Sequence, residues 1–220
     1  LLLIDKPLEW TSFDIVKKVR NLIKKKLQIK KIKVGHAGTL DPLATGLLIV
    51  CTGKFTKRIE EIQGQEKTYI GQFTLGATTP SFDRETKVNH TFNTAHITKQ
   101  LLEETTKQFV GEITQIPPIF SALKKDGKRL YDFARENEEV EIKERKVMVH
   151  SFEITDINFP EVNFKISCGK GTYIRSIAND FGRALNSGAY LSKLCRTKIG
   201  KYNLKDAFSL NEVEEKMKLL

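Results

Sequence analysis

One acidic residue stands within a run of small and conformationally special residues near the start of the chain. Residues 35–46 (GHAGTLDPLATG) contain three glycines, a histidine, a proline and a single carboxylate, Asp41. Glycine permits backbone angles that other residues avoid, and Pro42 disfavours helical geometry at Asp41. The run therefore predicts a shaped loop that holds one carboxylate in a set direction and then enters a buried strand at 47–51.

Two interpretations of Asp41 are open at this point. An aspartate before proline in a glycine-rich loop is commonly a turn former whose side chain caps a nearby backbone N–H. The alternative is a catalytic carboxylate, because loops held by a rigid scaffold often carry reactive groups. The loop alone favours the turn former, so the choice depends on the rest of the chain.

Positive charge is concentrated in one segment. The net charge is +10, and residues 17–33 contain nine lysines and arginines and no acid. A solvated helix face normally mixes both signs, whereas a block of one sign indicates a polyanionic partner. Nucleic acid is favoured over a membrane surface because the block lacks an aromatic stripe that would insert into lipid. Lys24, Lys25 and Lys26 are the candidates for contacts with an RNA backbone.

The remaining composition excludes several classes of protein. No run of eighteen apolar residues predicts a membrane span, and residues 1–4 are too short an apolar stretch for a signal peptide. The three cysteines are odd in number and far apart, which argues against a disulfide framework and predicts a reducing, cytoplasmic location. The four histidines show no metal-ligand spacing, so no metal site is expected.

Hydrophobic periodicity predicts a mixed α+β fold with a mostly antiparallel central sheet flanked by helices. A helix is predicted from an N-cap at Thr11 or Ser12 to Lys26. Further helices are predicted at 97–110, 127–136, 172–185 and 212–220. Strands are predicted at 1–4, 47–51, 67–76, 145–157, 162–167 and within 191–204, and 115–122 is predicted to be extended.

Three other segments look too specific for folding alone. They are 67–69 (KTY), 117–131 with its paired prolines and basic residues, and 169–175 (GKGTYIR). The glycines and lysine of the third segment could form a phosphate-binding nest, or simply a turn that caps a helix, and the two interpretations are evenly balanced. It is not a Walker A motif, because the required spacing is absent.

Together these segments resemble the signature of the TruB family of tRNA pseudouridine synthases. The match begins with residues 35–46, continues through the three other segments in the family's order and covers essentially the whole chain. The resemblance implies the pseudouridine synthase fold in a single catalytic domain, 1–220, with a C-terminal PUA domain absent or very short. It also implies isomerisation of uridine 55 in the T arm of tRNA without a cofactor. The protein is expected to be a monomer.

The resemblance also implies roles for individual residues. Asp41 corresponds to the nucleophile, Tyr69 to a tyrosine that stacks on the target base and could remove a ribose proton, and Arg175 to the ion-pair partner of the aspartate. The other expected substrate-binding residues are His36, which helps to hold the T arm open around a flipped uridine, together with Gly38, Thr39, Lys170, Tyr173 and Leu194.

The chain departs from the family pattern at two places, and two alternative functions remain open. Residues 79–83 (TPSFD) replace a common Thr-Asp-Thr run, with Asp83 in the place of a later acid. Cys195 replaces an arginine that could contact phosphate. The alternatives are a non-catalytic RNA-binding or chaperone protein of the same fold, and a family member that acts on guided sites within a ribonucleoprotein.

Overall fold

The computed structural model describes residues 1–136 and 138–219, and it confirms the α+β class with mainly antiparallel strands. The strands are β1 (Leu2–Lys6), β2 (Val34–His36), β3 (Ala44–Thr52), β4 (Lys67–Leu75), β5 (Ala77–Thr78), β6 (His90–Thr91), β7 (Gly111–Gln115), β8 (Lys124–Lys125), β9 (Lys128–Arg129), β10 (Arg145–Asn158), β11 (Glu161–Cys168), β12 (Ala189–Ile199) and β13 (Tyr202–Asn203). The α-helices are α1 (Ser12–Leu27), α2 (Ile59–Gly64), α3 (Lys99–Thr106), α4 (Leu130–Arg135), α5 (Ile174–Ala184) and α6 (Leu210–Leu219). Leu220, the last residue of the predicted terminal helix, lies outside the described residues.

The chain forms two compact units. The first comprises Leu1–Ile70 and Lys193–Leu220, and the second comprises Gly71–Ser192. The chain passes from one unit to the other within β4 and again within β12. Across both units, no helix in the described ranges is long and apolar enough to cross a membrane.

Strand β3 lies at the centre of the first unit. It pairs antiparallel with β1 and β2 and parallel with β12. Leu48 and Val50 face a core cluster that includes α1, whereas Leu47 and Ile49 belong to a second cluster that includes Ile62 of α2. Because both faces of β3 are buried, its sequence is a continuous apolar run and not an alternating one.

Helix α1 begins where the capping signal predicts. The Thr11 side chain accepts a hydrogen bond from Asp14 N at 3.0 Å, and the Asp14 carboxylate accepts one from Thr11 N at 3.0 Å. This capping box satisfies two backbone donors at the helix N-terminus. The helix buries Ile15 and Val19 against the sheet, and its last turn carries Lys24, Lys25 and Lys26.

The second unit is built on β10, which pairs antiparallel with β11 on one side and with β7 on the other. Five phenylalanine rings pack together here. Phe73 stacks on Phe164 with ring centroids 4.1 Å apart, and Phe152 lies 5.3 Å from Phe181, which in turn lies 5.9 Å from Phe109. Packed aromatic rings bury large apolar areas, so this cluster stabilises the unit.

The predicted loop at 35–46 is shorter than the sequence suggests. His36 ends β2 opposite Val50, and Ala44 begins β3 opposite Leu194. Because strand pairing takes up both ends of the run, the irregular loop is limited to residues 37–43.

The predicted helix at 97–110 was also too long. Helix α3 starts at Lys99 because the Thr98 side chain accepts a hydrogen bond from Leu101 N at 3.1 Å, and the chain then tightens into a 3₁₀ turn at Lys107–Phe109. Gly111 opens β7, which the sequence analysis did not predict. Similarly, α5 begins at Ile174 and not at Thr172.

Candidate active site

The loop between β2 and β3 is held to the start of α1 on the amino side of Asp41. Ser12 Oγ donates to the Leu40 carbonyl at 3.0 Å and accepts from Leu40 N at 2.8 Å. Both Ser12 and Leu40 are buried, whereas Asp41 is half-buried. The residue next to the carboxylate is therefore fixed by two hydrogen bonds that water cannot easily replace.

On the other side of Asp41, the loop is held by Lys6, a fully buried lysine at the end of β1. Its ammonium donates to the carbonyls of Pro7 at 2.8 Å, Trp10 at 2.7 Å and Pro42 at 3.4 Å. Glu9 N also donates to the Pro42 carbonyl at 2.8 Å. Burial lowers the pKa of Lys6 from 10.5 to about 8, and the negative charge of Asp41 is the largest influence that opposes this shift.

We expect Asp41→Asn to lower the pKa of Lys6 below about 8, because the attraction that favours the ammonium form is lost. Titration of the Lys6 side-chain NMR signals in ¹³C-lysine-labelled protein measures this pKa. Asp5→Asn is the matched control, since Asp5 raises the pKa of Lys6 less than Asp41 does. A larger fall in Asp5→Asn than in Asp41→Asn would contradict the expected order.

Two glycines give the loop its shape. Gly38 has φ +103° and Gly46 has φ +98°, both in the left-handed region that side chains with a Cβ rarely adopt. A Cβ at Gly46 would also lie 2.5 Å from the carbonyl oxygen of Arg196. Glycine is therefore required at 38 by the backbone angle, and at 46 by both the backbone angle and the close approach of β12.

His36 ends β2 and is half-buried. Burial, followed by the positive charge of Arg196, lowers the pKa of His36, and the Gly38 backbone opposes this only in part. The ring is therefore neutral at physiological pH. A neutral ring is suited to stacking against a base.

Tyr69 and Leu194 lie on strands of the same unit. Tyr69 is in β4 and is only 8% exposed. Thr197 Oγ1 donates to the carbonyl of the preceding Thr68 at 3.2 Å, which ties β4 to β12 beside Tyr69. Leu194 pairs with Ala44, three residues after Asp41. The first unit thus brings the Asp41 loop and Leu194 together.

Tyr173 lies in the second unit and is held by a residue that sequence reasoning missed. The Gln115 side chain accepts a hydrogen bond from Tyr173 N at 2.8 Å and donates to the Tyr173 carbonyl at 3.0 Å. The guanidinium of Arg145 lies 4.7 Å from the centre of the Tyr173 ring. Gln115 is 1% exposed, so this amide pair fixes the backbone at the start of α5.

Arg175 follows in the first turn of α5 and is 3% exposed. Its Nε lies 3.6 Å from Asp83 Oδ2, and its Nη1 donates to the carbonyls of Phe120 at 2.8 Å and Ser81 at 3.4 Å. The Asp83 ion pair was not predicted. The expected pairing of Arg175 with Asp41 stays a prediction.

The segment before α5 has the geometry of a turn. Gly171 has φ +89°, and Thr172 Oγ1 donates to the Gly169 carbonyl at 3.2 Å. Tyr173 occupies the N-cap position without a side-chain capping bond, so Thr172 does not cap the helix. Lys170 is exposed at the tip of this turn. Its expected contact with substrate stays a prediction.

The residues that sequence reasoning missed share one property. Lys6, Gln115 and Arg196 are nearly or fully buried polar side chains that bind backbone groups of the loops carrying the predicted site. Within residues 1–136 and 138–219, no three His, Cys, Asp or Glu side chains cluster closely enough to hold a metal ion.

Comparison with known proteins identifies the family. Residues 24–174 match the model of the TruB family pseudouridylate synthase N-terminal domain. The chain is 59% identical over 218 residues to tRNA pseudouridine synthase B of Flavobacterium johnsoniae, covering 99% of this chain and 95% of that protein. It is 54% identical to tRNA pseudouridine synthase B of Phocaeicola vulgatus, covering 98% of this chain and 92% of that one.

Solved structures agree with this assignment. The fold resembles a chain of a Cbf5-Nop10-Gar1 complex with a TM-score of 0.72 and 28% identity. The match covers 97% of this chain and 53% of the other, so this chain spans about half the length of that relative. Since the family model matches more than half of the chain and the bacterial relatives match nearly all of it, the chain belongs to the TruB family of pseudouridylate synthases.

Proposed function

We propose that this chain converts uridine 55 in the T arm of tRNA to pseudouridine. The observation that carries the proposal is the 59% identity, over 99% of the chain, to a protein named tRNA pseudouridine synthase B. The Asp41 loop supports it, because an RNA-binding protein has no need of a half-buried carboxylate on a loop tethered on both sides. The position in tRNA rests on the sequence resemblance.

The proposed reaction is a rearrangement within one nucleotide. The bond between N1 of the base and C1′ of the ribose breaks, the base turns, and C5 joins C1′. C5 loses its hydrogen as a proton and N1 gains one, so the reaction needs no oxidant and transfers no group to another molecule. Asp41 acts as the nucleophile, attacking either the ribose or the pyrimidine ring, and then leaves.

Other residues prepare the nucleotide in this mechanism. Tyr69 stacks on the base, and its phenol is available to take a ribose proton. Arg175 is proposed to be the ion-pair partner of the Asp41 carboxylate, as the resemblance to the family implies. Tyr173 and Leu194 line the uridine, with Gly38, Thr39 and Lys170 as further substrate contacts.

The uridine must leave its stack to react, which costs a few kcal/mol. In the proposed complex, the neutral ring of His36 helps to hold the T arm open. This contact offsets part of the cost of flipping, because an uncharged aromatic ring can stack where a base has been removed.

The basic end of α1 is proposed to bind tRNA phosphates. Lys25 and Lys26 are exposed and Lys24 is half-buried in the last turn of α1. We expect replacement of all three by glutamine to weaken tRNA binding and to reduce the slope of log K against log salt by roughly 2–3, at about one phosphate contact per lysine. Filter binding at several salt concentrations measures the slope.

The matched control for this variant replaces Lys87, Lys99 and Lys107, three exposed lysines outside the basic segment, by glutamine. Both variants lose the same formal charge. If the two slopes fall equally, only net charge matters, and the last turn of α1 has no specific role in binding.

We further propose that the protein is a monomer that acts in the cytoplasm and that residues 1–220 form one catalytic domain. The cysteines support this location, since they are odd in number and far apart in sequence. Sedimentation of the purified chain, alone and with tRNA, measures its oligomeric state.

Release of tritium from tRNA labelled at uridine C5 tests the function. We expect release equal to one uridine per tRNA, and none from a transcript carrying cytidine at position 55. Release that persists from the cytidine transcript would show that another position is modified. Binding of tRNA without any release would overturn the proposal and favour the non-catalytic RNA-binding alternative.

A further inference from the structure

Arg196 is a buried arginine whose donors bind the backbone of the Asp41 loop. It lies on β12 opposite Gly46 and is 1% exposed. Its Nε donates to the Leu47 carbonyl at 2.8 Å, its Nη2 to the Gly38 carbonyl at 3.0 Å and its Nη1 to the Thr39 carbonyl at 3.4 Å. The guanidinium therefore joins the start of the loop to the strand that follows it.

The burial of Arg196 excludes a direct phosphate contact. A side chain that grips an RNA backbone must present its cation to solvent, whereas this one is enclosed and bound to carbonyl oxygens. Burying a cation is costly unless hydrogen bonds compensate it. The Arg196 cation therefore binds groups of the protein itself and not an RNA phosphate.

Arg196 completes a set of tethers along residues 38–42. The carbonyls of Gly38 and Thr39 accept from Arg196, that of Leu40 from Ser12, and that of Pro42 from Lys6 and Glu9 N. The Asp41 carbonyl accepts from Ala44 N at 3.1 Å. Each carbonyl from 38 to 42 is thus bound, and Arg196 supplies two of these bonds from a single rigid group.

We infer that Arg196 is a positioning residue for the Asp41 carboxylate in the proposed reaction. Its planar guanidinium fixes the backbone two and three residues before Asp41, which sets the direction in which the carboxylate points. A nucleophile displaced by about 1 Å can lose on the order of 10²-fold in rate. Arg196 does not touch the uridine, so it acts through the loop and not on the substrate.

Lysine cannot replace Arg196 in positioning the loop. An ammonium is a compact point charge on a flexible stem, whereas the guanidinium presents donors in a fixed plane. In Arg196→Lys, the cation is kept but the fork that bridges Leu47 with Gly38 and Thr39 is lost. The loop should then sample directions that do not point Asp41 at its target.

Single-turnover tritium release with Arg196→Lys tests the inference, which rests on the proposed function. We expect a rate roughly 10- to 100-fold lower than wild type, with the Kd for tRNA changed less than about threefold. Hydrogen exchange at the amides of 38–41 should also be faster. Thr98→Ala, which removes the cap of α3, is the control for a general loss of stability.

Two results would overturn the inference. One is a single-turnover rate equal to that of wild type. The other is a rate loss that Thr98→Ala reproduces at the same loss of stability. If the wild-type chain releases no tritium, the proposed function fails, and hydrogen exchange alone still decides whether Arg196 holds the loop.

A second variant leaves Arg196 in place, in case Arg196→Lys does not fold. Incorporation of the α-hydroxy analogue of threonine at position 39 turns the amide after Gly38 into an ester, whose carbonyl is a weaker acceptor for Nη2. We expect a smaller loss of single-turnover rate in the same direction, again with little change in the Kd for tRNA. An unchanged rate in this ester variant would contradict the role of the Arg196 bond.

Discussion

Asp41→Asn is expected to lower pseudouridine formation by at least about 10³-fold, because the amide that replaces the carboxylate is not a nucleophile. The change keeps the size of the side chain. At a pH where Lys6 keeps its charge, the loop should also keep its shape, since the bonds that hold Gly38, Leu40 and Pro42 are made to backbone carbonyls. Single-turnover tritium release measures the rate, and filter binding checks that tRNA is still bound.

Asp206→Asn provides the matched control. Asp206 is an exposed aspartate of the same unit and carries the same charge. We expect this variant to react at the wild-type rate. Activity that survives in Asp41→Asn, at a level comparable with Asp206→Asn, would rule out nucleophilic attack by Asp41 and leave the carboxylate as a turn former.

Elements with strong local signals could be predicted from the sequence. The capping box at Thr11 and Asp14 sets the start of α1, and the apolar run of β3 reflects burial on both faces. Elements with weak local signals were missed. Strand β7 has a mostly polar sequence and exists because it pairs with β10, far along the chain.

Residues of the candidate site that depend on distant parts of the chain were missed in the same way. Asp41 and Gly38 stand in a compact motif, so a local pattern reveals them. Arg196 lies 158 residues from Gly38, and nothing around it in sequence indicates that it is buried. Lysines and arginines are normally expected on the protein surface, and those in the last turn of α1 are exposed or half-buried, whereas Lys6 and Arg196 are buried. Burial of a cation depends on carbonyl oxygens that only the tertiary fold brings together.

Breaking the ion pair between Asp83 and Arg175 is expected to cause a large loss of stability. The two side chains are 7% and 4% exposed, and Nε lies 3.6 Å from Oδ2. The other oxygen, Oδ1, accepts from Glu85 N at 2.9 Å. Asp83→Asn keeps an acceptor for Glu85 N but removes the negative charge beside a buried guanidinium. We expect a loss of about 3–5 kcal/mol in the free energy of unfolding, measured by urea denaturation.

Arg175→Met should destabilise the protein by a similar amount, because it leaves the buried Asp83 carboxylate without this cation. The double variant should then lose less than the sum of the two single losses, since neither charge remains to be compensated. Arg58→Met breaks the exposed ion pair with Glu61 and should change stability little, because water screens that pair. Losses in Asp83→Asn and Arg175→Met that simply add in the double variant would contradict direct coupling. Coupling between the two charges would show that Asp83 and Arg175 form an ion pair within the second unit although residues 79–83 depart from the family pattern.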